Sequence, residues 1–230
     1  MFEVLKSDLQ AAMDKDPAAK SKWEIYFTYG GFKALRAYRR AHRYYTHGLQ
    51  FLAFLVSAHA RKVTGIDIHP AAVIGQRVFI DHGMGLVIGE TTEIGDDVTI
   101  YQGVTLGGTG KDVGKRHPTI KDGVMISAGA KVLGPVTIGE HSKIGAGSEV
   151  LKDVPPHCTV VGVPGRIARM HGEKYKDLDQ RLPDPVLEEF ARINKRLESI
   201  ETELNIPACR YSISQEITEG EDVEKEYEGL

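Results

Sequence analysis

Residues 120–150 read IKDGVMISAGAKVLGPVTIGEHSKIGAGSEV, and every sixth residue of this stretch is aliphatic. An α-helix repeats every 3.6 residues and a plain strand every two, so a period of six belongs to neither element. It indicates a chain that turns a corner at fixed intervals around an apolar axis, which is the arrangement of a β-helix. Glycine often follows the aliphatic residue, as at Gly139 and Gly145, because a tight corner favours a residue without a Cβ atom.

The same period runs through the chain upstream of this stretch. Its aliphatic positions are Ile68, Ile74 and Ile80, then Ile88, Ile94, Ile100 and Leu106, then Ile120, Ile126, Val132, Ile138, Ile144 and Val150. Hexapeptide repeats of this kind resemble the left-handed parallel β-helix, which has three short flat faces per coil and departs from the usual right-handed crossover. We therefore predict a mixed fold in which a left-handed β-helix occupies residues 63–170.

The repeat is interrupted twice. Ile80 and Ile88 are eight residues apart, and Leu106 and Ile120 are fourteen apart, so extra residues enter the coil at both places. Each interruption contains a histidine. A rigid coil that bulges in this way indicates functional side chains on loops that the scaffold holds in place.

Helices are predicted on both sides of the β-helix. Residues 1–62 are expected to form a helical N-terminal domain, which would cover the open edge of the first coil. Residues 184–205 carry apolar residues at alternating spacings of four and three, which favours either a short coiled coil or an amphipathic helix folded back onto the β-helix. Residues 212–230 form an acidic segment that we expect to be disordered.

The composition indicates a soluble cytoplasmic protein. The chain has 230 residues, of which 41% are hydrophobic and 27% charged, and a formal net charge of -3. Because it lacks an extended basic block or a long apolar span, we expect neither nucleic acid nor a membrane as a partner. Two cysteines without a CxxC motif favour a reducing compartment without a disulfide framework.

His82 is the strongest candidate for a catalytic group. Asp67 lies fifteen residues before it, nearly one coil of three hexads, so we predict that stacking brings the two side chains together. An aspartate that accepts a hydrogen bond from one ring nitrogen leaves the other nitrogen free to take a proton. The other loop histidines His47, His141, His157 and His171 are expected to be merely exposed.

Several motifs together resemble the bacterial serine O-acetyltransferases. They are DPA at 16–18, DIHP at 67–70, IDHGMGLVIGET at 80–91, TLGGTGK at 105–111, KRHP at 115–118 and AGAKVLGPVTIG at 128–139. The resemblance implies transfer of an acetyl group from acetyl-CoA to the hydroxyl of L-serine, which gives O-acetyl-L-serine and CoA in the first step of cysteine biosynthesis. It implies neither an acyl-enzyme nor a metal.

The resemblance also implies roles for individual residues. His82 would be the general base and Asp67 would orient its ring. The substrate carboxylate would bind Arg116 and His117, the substrate ammonium would bind Asp16 and Asp81, and Glu90 would face the same site. The cofactor would contact Gly108 and Thr109 in the glycine-rich run, Ala128 and Gly129 along the pantetheine arm, and Lys143 and Arg166 at the nucleotide end.

Other functions remain open from the residues alone. The chain could be an acyltransferase that acts on homoserine, a sugar or a xenobiotic. Serine and homoserine differ by one methylene, which changes the discrimination between them by only about 1 to 3 kcal/mol. A β-helical metal enzyme of the carbonic anhydrase kind would need His69, His82 and His117 to converge. A noncatalytic scaffold is a third possibility.

The resemblance bears on assembly as well. With only about 60 residues ahead of the coil, we expect a homotrimer rather than the hexamer of longer family members. Family members commonly bind O-acetylserine sulfhydrylase through a C-terminal isoleucine. This chain ends in Leu230, so a complex through the tail is a possible partner interaction. Feedback inhibition by cysteine is also expected.

Overall fold

The structure is a computed structural model that describes residues 2–110, 113–174, 192–197 and 199–200. The chain divides into two compact units, residues 1–180 and 181–230. The first unit contains the helical N-terminal region and the β-helix.

Four helices precede the β-helix: α1 (Phe2–Lys15), α2 (Lys22–Thr28), α3 (Gly30–Thr46) and α4 (Gln50–Thr64). Helix α2 begins after Ser21, whose side chain accepts a hydrogen bond from the Glu24 N–H at 3.1 Å. Helix α4 ends at Gly65, which adopts the left-handed conformation with φ 69°. The predicted helical N-terminal region is confirmed, and none of the described helices is long and apolar enough to cross a membrane.

The β-helix consists of strands of two to five residues. In chain order they are β1 (Asp67–Ile68), β2 (Val73–Ile74), β3 (Phe79–Ile80), β4 (Val87–Ile88), β5 (Glu93–Ile94), β6 (Thr99–Ile100), β7 (Thr105–Gly107), β8 (Thr119–Ile120), β9 (Met125–Ile126), β10 (Lys131–Leu133), β11 (Thr137–Ile138), β12 (Lys143–Ile144), β13 (Glu149–Val150), β14 (Cys158–Val161), β15 (Arg166–Met170) and β16 (Glu173–Lys174). They form three sheets, one per face of the coil. Sheet A has the order β1-β4-β7-β10-β13, sheet B β2-β5-β8-β11 and sheet C β3-β6-β9-β12-β14, to which the antiparallel β15 and β16 are added.

The aliphatic residues of the repeat stack in columns inside the coil. In sheet A each residue of the column pairs with the next one, in the order Ile68, Ile88, Leu106, Val132 and Val150. Sheets B and C stack their isoleucines in the same way. These side chains are buried. Each stabilises the fold by about 1.5–3 kcal/mol relative to an exposed position. The predicted period and the left-handed β-helix are therefore confirmed.

The two interruptions of the repeat lie at different corners of the coil. Residues 81–86 connect sheet C to sheet A, and we call this the C/A corner. Residues 108–118 connect sheet A to sheet B, at the A/B corner. The third corner, between sheets B and C, carries His141 and His157, whose rings stack with each other and with His171 at 5.2 and 5.4 Å between centroids.

A buried ion pair attaches the helices to the first coil. Asp8 is 1% exposed; its carboxylate contacts Arg39 at 3.1 Å and accepts from the Val78 N–H at 3.2 Å. Arg39 also donates to the carbonyl oxygens of Ile74, at 2.5 Å, and Gly75. The helices thus supply partners for backbone groups at the edge of the first coil, which would otherwise be unpaired.

Helix α3 also touches the coil through its backbone. A Cβ atom added at Gly31 would overlap the carbonyl oxygen of Ile80, immediately before the C/A corner. The close approach therefore requires glycine at this position.

In the second unit, residues 192–197 and 199–200 are helical, within the range predicted for the C-terminal helix. Ile193, Leu197 and Ile200 are exposed there. The rest of that range and the acidic segment 212–230 lie outside the described residues, so the coiled coil and the disordered tail stay predictions.

Gly31→Ala is expected to destabilise the protein, because the new methyl group must push α3 away from Ile80. Overpacking of this kind costs about 1–3 kcal/mol. The measurement is urea unfolding followed by circular dichroism. Gly30→Ala is the matched control, since a Cβ there would meet the His82 carbonyl oxygen at an ordinary 3.5 Å. Equal stability of the two variants would contradict the packing argument.

Candidate active site

A pocket of about 440 Å³ lies between the helices and the C/A corner. Asp16, Tyr29, Asp81 and His82 contribute its polar groups, and Gly30 and Gly31 form part of its wall. The structure thus brings together three of the predicted site residues, although Asp16 is 65 positions from Asp81 in the chain.

His82 projects from a tight turn. Its backbone has φ 56°, and the turn is closed by the Gly83 N–H, which donates to the Asp81 carbonyl at 2.6 Å. The side chain of His82 is 77% exposed, and its Nε2 lies 3.8 Å from a carboxylate oxygen of Asp81. The ring is therefore accessible from solvent.

Asp16 is held in place by two hydrogen bonds. It follows α1, and its carboxylate accepts from the Ala18 N–H at 2.8 Å and from the Tyr29 hydroxyl at 2.6 Å. Together with Asp81 it gives the pocket two carboxylates. Such a pair suits a cationic group of a small ligand.

A second cluster of predicted residues lies at the A/B corner. Arg116 contacts the Glu90 carboxylate at 2.5 Å, and both side chains are about one-third exposed. Lys115 donates to the Thr91 carbonyl at 2.7 Å and contacts Glu93 at 3.0 Å. A guanidinium group that is partly exposed in this way can receive the carboxylate of a ligand.

His117 is wedged in the same cluster and is 8% exposed. Its ring packs on Gly89 and Gly108, where added Cβ atoms would come too close to it. Its Nδ1 accepts from the Thr91 N–H at 3.2 Å, so the proton of the neutral ring lies on Nε2. Burial lowers the pKa of His117, and the Arg116 charge lowers it further.

The strand register does not stack Asp67 on His82, so a contact between the two side chains stays a prediction. Asp67 pairs with Val87, twenty positions on, because the first coil includes the inserted residues of the C/A corner. Fifteen residues fall short of one coil, so His82 precedes the strand that lies on Asp67. Within the chain the Asp67 carboxylate contacts Arg61 at 3.0 Å, and the carboxylate beside the His82 ring is that of Asp81.

The residues predicted to bind the cofactor are divided between the corners. Gly85, Gly103, Gly129 and Gly147 all have positive φ and form a column of small residues along the C/A corner. Ala128 and Gly129 therefore lie two coils from the His82 turn, roughly 10 Å at the usual strand spacing. Gly108 and Thr109 lie at the A/B corner instead. Lys143 is exposed in β12, and Arg166 begins β15.

The histidines of the metal-enzyme alternative do not converge. His69 and His117 lie at the A/B corner, whereas His82 lies at the C/A corner. Within the described part of the chain, histidine, cysteine and carboxylate side chains nowhere form a group of three or more that could hold a metal ion.

Sequence reasoning missed Tyr29 and Thr91, which hold Asp16 and His117 in place. Tyr29 belongs neither to the repeat nor to a quoted motif. Thr91 is the last residue of the motif at 80–91. Two adjacent glycines, Gly30 and Gly31, follow Tyr29 in the helical region, and such a pair is a sequence signal of close backbone approach that could have pointed to Tyr29.

The chain is similar to known proteins along most of its length. The bacterial transferase hexapeptide family (six repeats) matches residues 117–152. A serine acetyltransferase of Bacillus pumilus is 56% identical over 205 residues, covering 88% of this chain and 94% of the relative. One from Synechococcus elongatus is 48% identical over 217 residues, covering 93% of this chain and 89% of the relative.

Solved structures agree with this similarity. A Neisseria gonorrhoeae serine acetyltransferase in complex with serine has a TM-score of 0.71 at 44% identity, covering 73% of this chain and 69% of that one. A Brucella abortus serine acetyltransferase in complex with coenzyme A has a TM-score of 0.71 at 48% identity, covering 72% of this chain and 66% of that one.

The left-handed β-helix with its bulged corners defines a hexapeptide-repeat acyltransferase. Within that class, the identity and coverage of the relatives show that the chain belongs to the serine acetyltransferase family. The predicted family and enzyme class are confirmed.

The lowered pKa of His117 makes stability depend on pH. The folded chain holds this pKa below the value of 6.5 that an unperturbed histidine has, so the unfolded state binds more protons near neutrality. The stabilisation is complete above that value and is lost as pH falls through it. We expect the free energy of unfolding to decrease from about pH 7.5 to about pH 5.5 more steeply in the wild type than in His117→Asn.

The Asn amide oxygen can still accept from Thr91, so this variant removes the titration and keeps the hydrogen bond. His59→Asn, at an exposed position on α4, should retain the wild-type slope. The free energy of unfolding is measured by urea titration at each pH. An equal dependence of this free energy on pH in the wild type and in His117→Asn would contradict the argument.

Proposed function

We propose that this enzyme transfers the acetyl group of acetyl-CoA to the hydroxyl of L-serine and releases O-acetyl-L-serine and CoA. The observation that carries the proposal is the pocket in which His82 lies beside the carboxylates of Asp16 and Asp81. The serine and coenzyme A complexes of the similar acetyltransferases support the choice of substrates.

In this mechanism His82 acts as the general base. An unassisted serine hydroxyl is a poor nucleophile, so the imidazole takes its proton as the oxygen attacks the thioester carbonyl. The tetrahedral intermediate then expels the CoA thiolate, which receives the proton from the imidazolium. Acetyl passes directly between the substrates, without an acyl-enzyme.

Asp67 is proposed to stabilise the imidazolium. Its segment lies against the His82 turn, because the Gly85 N–H donates to the Gly65 carbonyl at 2.8 Å and Ile66 packs on Gly83. A carboxylate near a histidine that gains a proton lowers the energy of the charged form. Arg61 contacts one oxygen of this carboxylate at 3.0 Å, and a carboxylate accepts more than one hydrogen bond, so this contact leaves acceptor positions for the imidazolium.

The charges of the two corners match the two ends of an amino acid. Asp16 and Asp81 suit the ammonium group, and Arg116 with the Nε2–H of His117 suits the carboxylate. These groups lie at corners on opposite edges of sheet A. We propose a cyclic homotrimer in which the C/A corner of one chain meets the A/B corner of the next, since such a heterologous interface closes into a ring.

The same arrangement would assemble the cofactor site. Ala128 and Gly129 of one corner would form one wall of the pantetheine groove and Gly108 and Thr109 of the neighbouring chain the other. Lys143 and Arg166, farther along the coil, are proposed to contact the nucleotide end. These cations suit phosphate groups.

We also propose that the reaction is the first step of cysteine biosynthesis in the cytoplasm and that cysteine inhibits it by occupying the serine pocket. Binding of O-acetylserine sulfhydrylase by the tail that ends at Leu230 stays a prediction, because the tail lies outside the described residues.

The reaction is tested by following thiol release from acetyl-CoA with L-serine, L-homoserine, L-threonine and simple sugars. We expect activity with L-serine. His82→Ala should lower kcat by at least about a hundredfold, because general-base help is lost. Asp67→Asn should lower kcat by about tenfold or more with an unchanged KM for serine. Undiminished turnover in His82→Ala would refute the mechanism, and preference for homoserine or a sugar would reassign the substrate.

The proposal that neighbouring chains share the active site is tested by subunit complementation. His82→Ala and Arg116→Ala damage opposite corners, so random mixing of the two chains leaves roughly a quarter of the interfaces with two intact halves. We expect activity of the coexpressed mixture well above that of either variant alone.

The matched control mixes His82→Ala with Asp16→Asn, which damage the same corner and should give no gain. Recovery in both mixtures or in neither would show that the site is not shared between chains in the proposed way.

A further inference from the structure

Tyr29 lines the pocket beside Asp16, Asp81 and His82 and belongs to none of the motifs that suggested the site. We propose that Tyr29 is a positioning residue for the amino-acid substrate: its hydroxyl fixes the Asp16 carboxylate in the orientation that receives the substrate ammonium. This inference rests on the proposed function, since it assigns a role within the same pocket.

Two donors from different segments define the plane of the Asp16 carboxylate. The Ala18 N–H donates to Oδ1 from the turn after α1, and the Tyr29 hydroxyl donates to Oδ2 from the junction of α2 and α3. Each carboxylate oxygen accepts about two hydrogen bonds, so each oxygen keeps one free position. A substrate ammonium can use these positions without displacing either donor.

The backbone of Tyr29 is itself fixed. Its N–H donates to the Ile25 carbonyl at 3.2 Å, and its carbonyl accepts from the Lys33 N–H at 3.1 Å. The next residue but one, Gly31, lies against Ile80 of the coil. The hydroxyl is therefore held at a set distance from the C/A corner, which links the position of Asp16 to that of Asp81 and His82.

A phenol orients Asp16 without neutralising it. A lysine or arginine in this place would form an ion pair and reduce the attraction of the carboxylate for an ammonium group. The hydrogen bond to Asp16 raises the pKa of Tyr29 to about 12. The hydroxyl thus keeps its proton and stays a donor at neutral pH.

Tyr29→Phe removes only the hydroxyl and tests the role directly. We expect the KM for L-serine to rise by about tenfold, while kcat stays within about threefold of wild type and the KM for acetyl-CoA is unchanged. Tyr26→Phe is the matched control: Tyr26 lies on α2 and packs against Phe27 and Phe32, and its variant should have wild-type constants. A rise in the KM for both substrates would indicate a general structural defect and overturn the proposal.

The coupling to Asp16 separates positioning from an independent effect. Asp16→Asn alone should raise the KM for serine at least as much as Tyr29→Phe, and the double variant should be no worse than Asp16→Asn. Additive effects would overturn the proposal. A wild-type KM in Tyr29→Phe would overturn it while leaving the proposed function intact, whereas a wild-type enzyme that does not acetylate serine would overturn both.

Discussion

The register of the coils depends on the burial of one aliphatic side chain per face and turn. Ile68, Ile88 and Leu106 illustrate this in sheet A, where each pairs with the next and all are buried. A slip of one residue would turn these side chains to solvent and bring polar neighbours such as Asp67 and Thr105 inside. This penalty, repeated in all three sheets, holds the positions of the corners along the coil.

Extra residues can therefore leave the coil only at corners. The eight-residue step after Ile80 and the fourteen-residue step after Leu106 both do so, while the strands on either side remain in register. The first places His82 at the C/A corner and the second places Arg116 and His117 at the A/B corner. Because these corners flank sheet A, acidic and basic groups for the two ends of an amino acid lie apart within one chain.

The helical region contributes to the site as well as covering the first coil. Asp8 and Arg39 attach it to backbone groups of that coil, and Gly31 allows α3 to lie directly on Ile80. Asp16 and Tyr29 then face the turn that carries His82. The contacts that attach the helices to the coil therefore also form the pocket.

The sequence alone determined the β-helix, its two bulged corners and the helical region before it, because a period of six and its interruptions are local properties of the chain. The motifs at Asp81-His82 and Arg116-His117 also identified the family. The tertiary structure decided which of these groups meet. It separated His82 from Arg116, paired Asp67 with Val87 instead of His82, and brought Tyr29 to Asp16. The register of Asp67 follows from the twenty residues between Ile68 and Ile88, which the spacing already contains. The other relations depend on packing between distant segments, which spacing along the chain does not give.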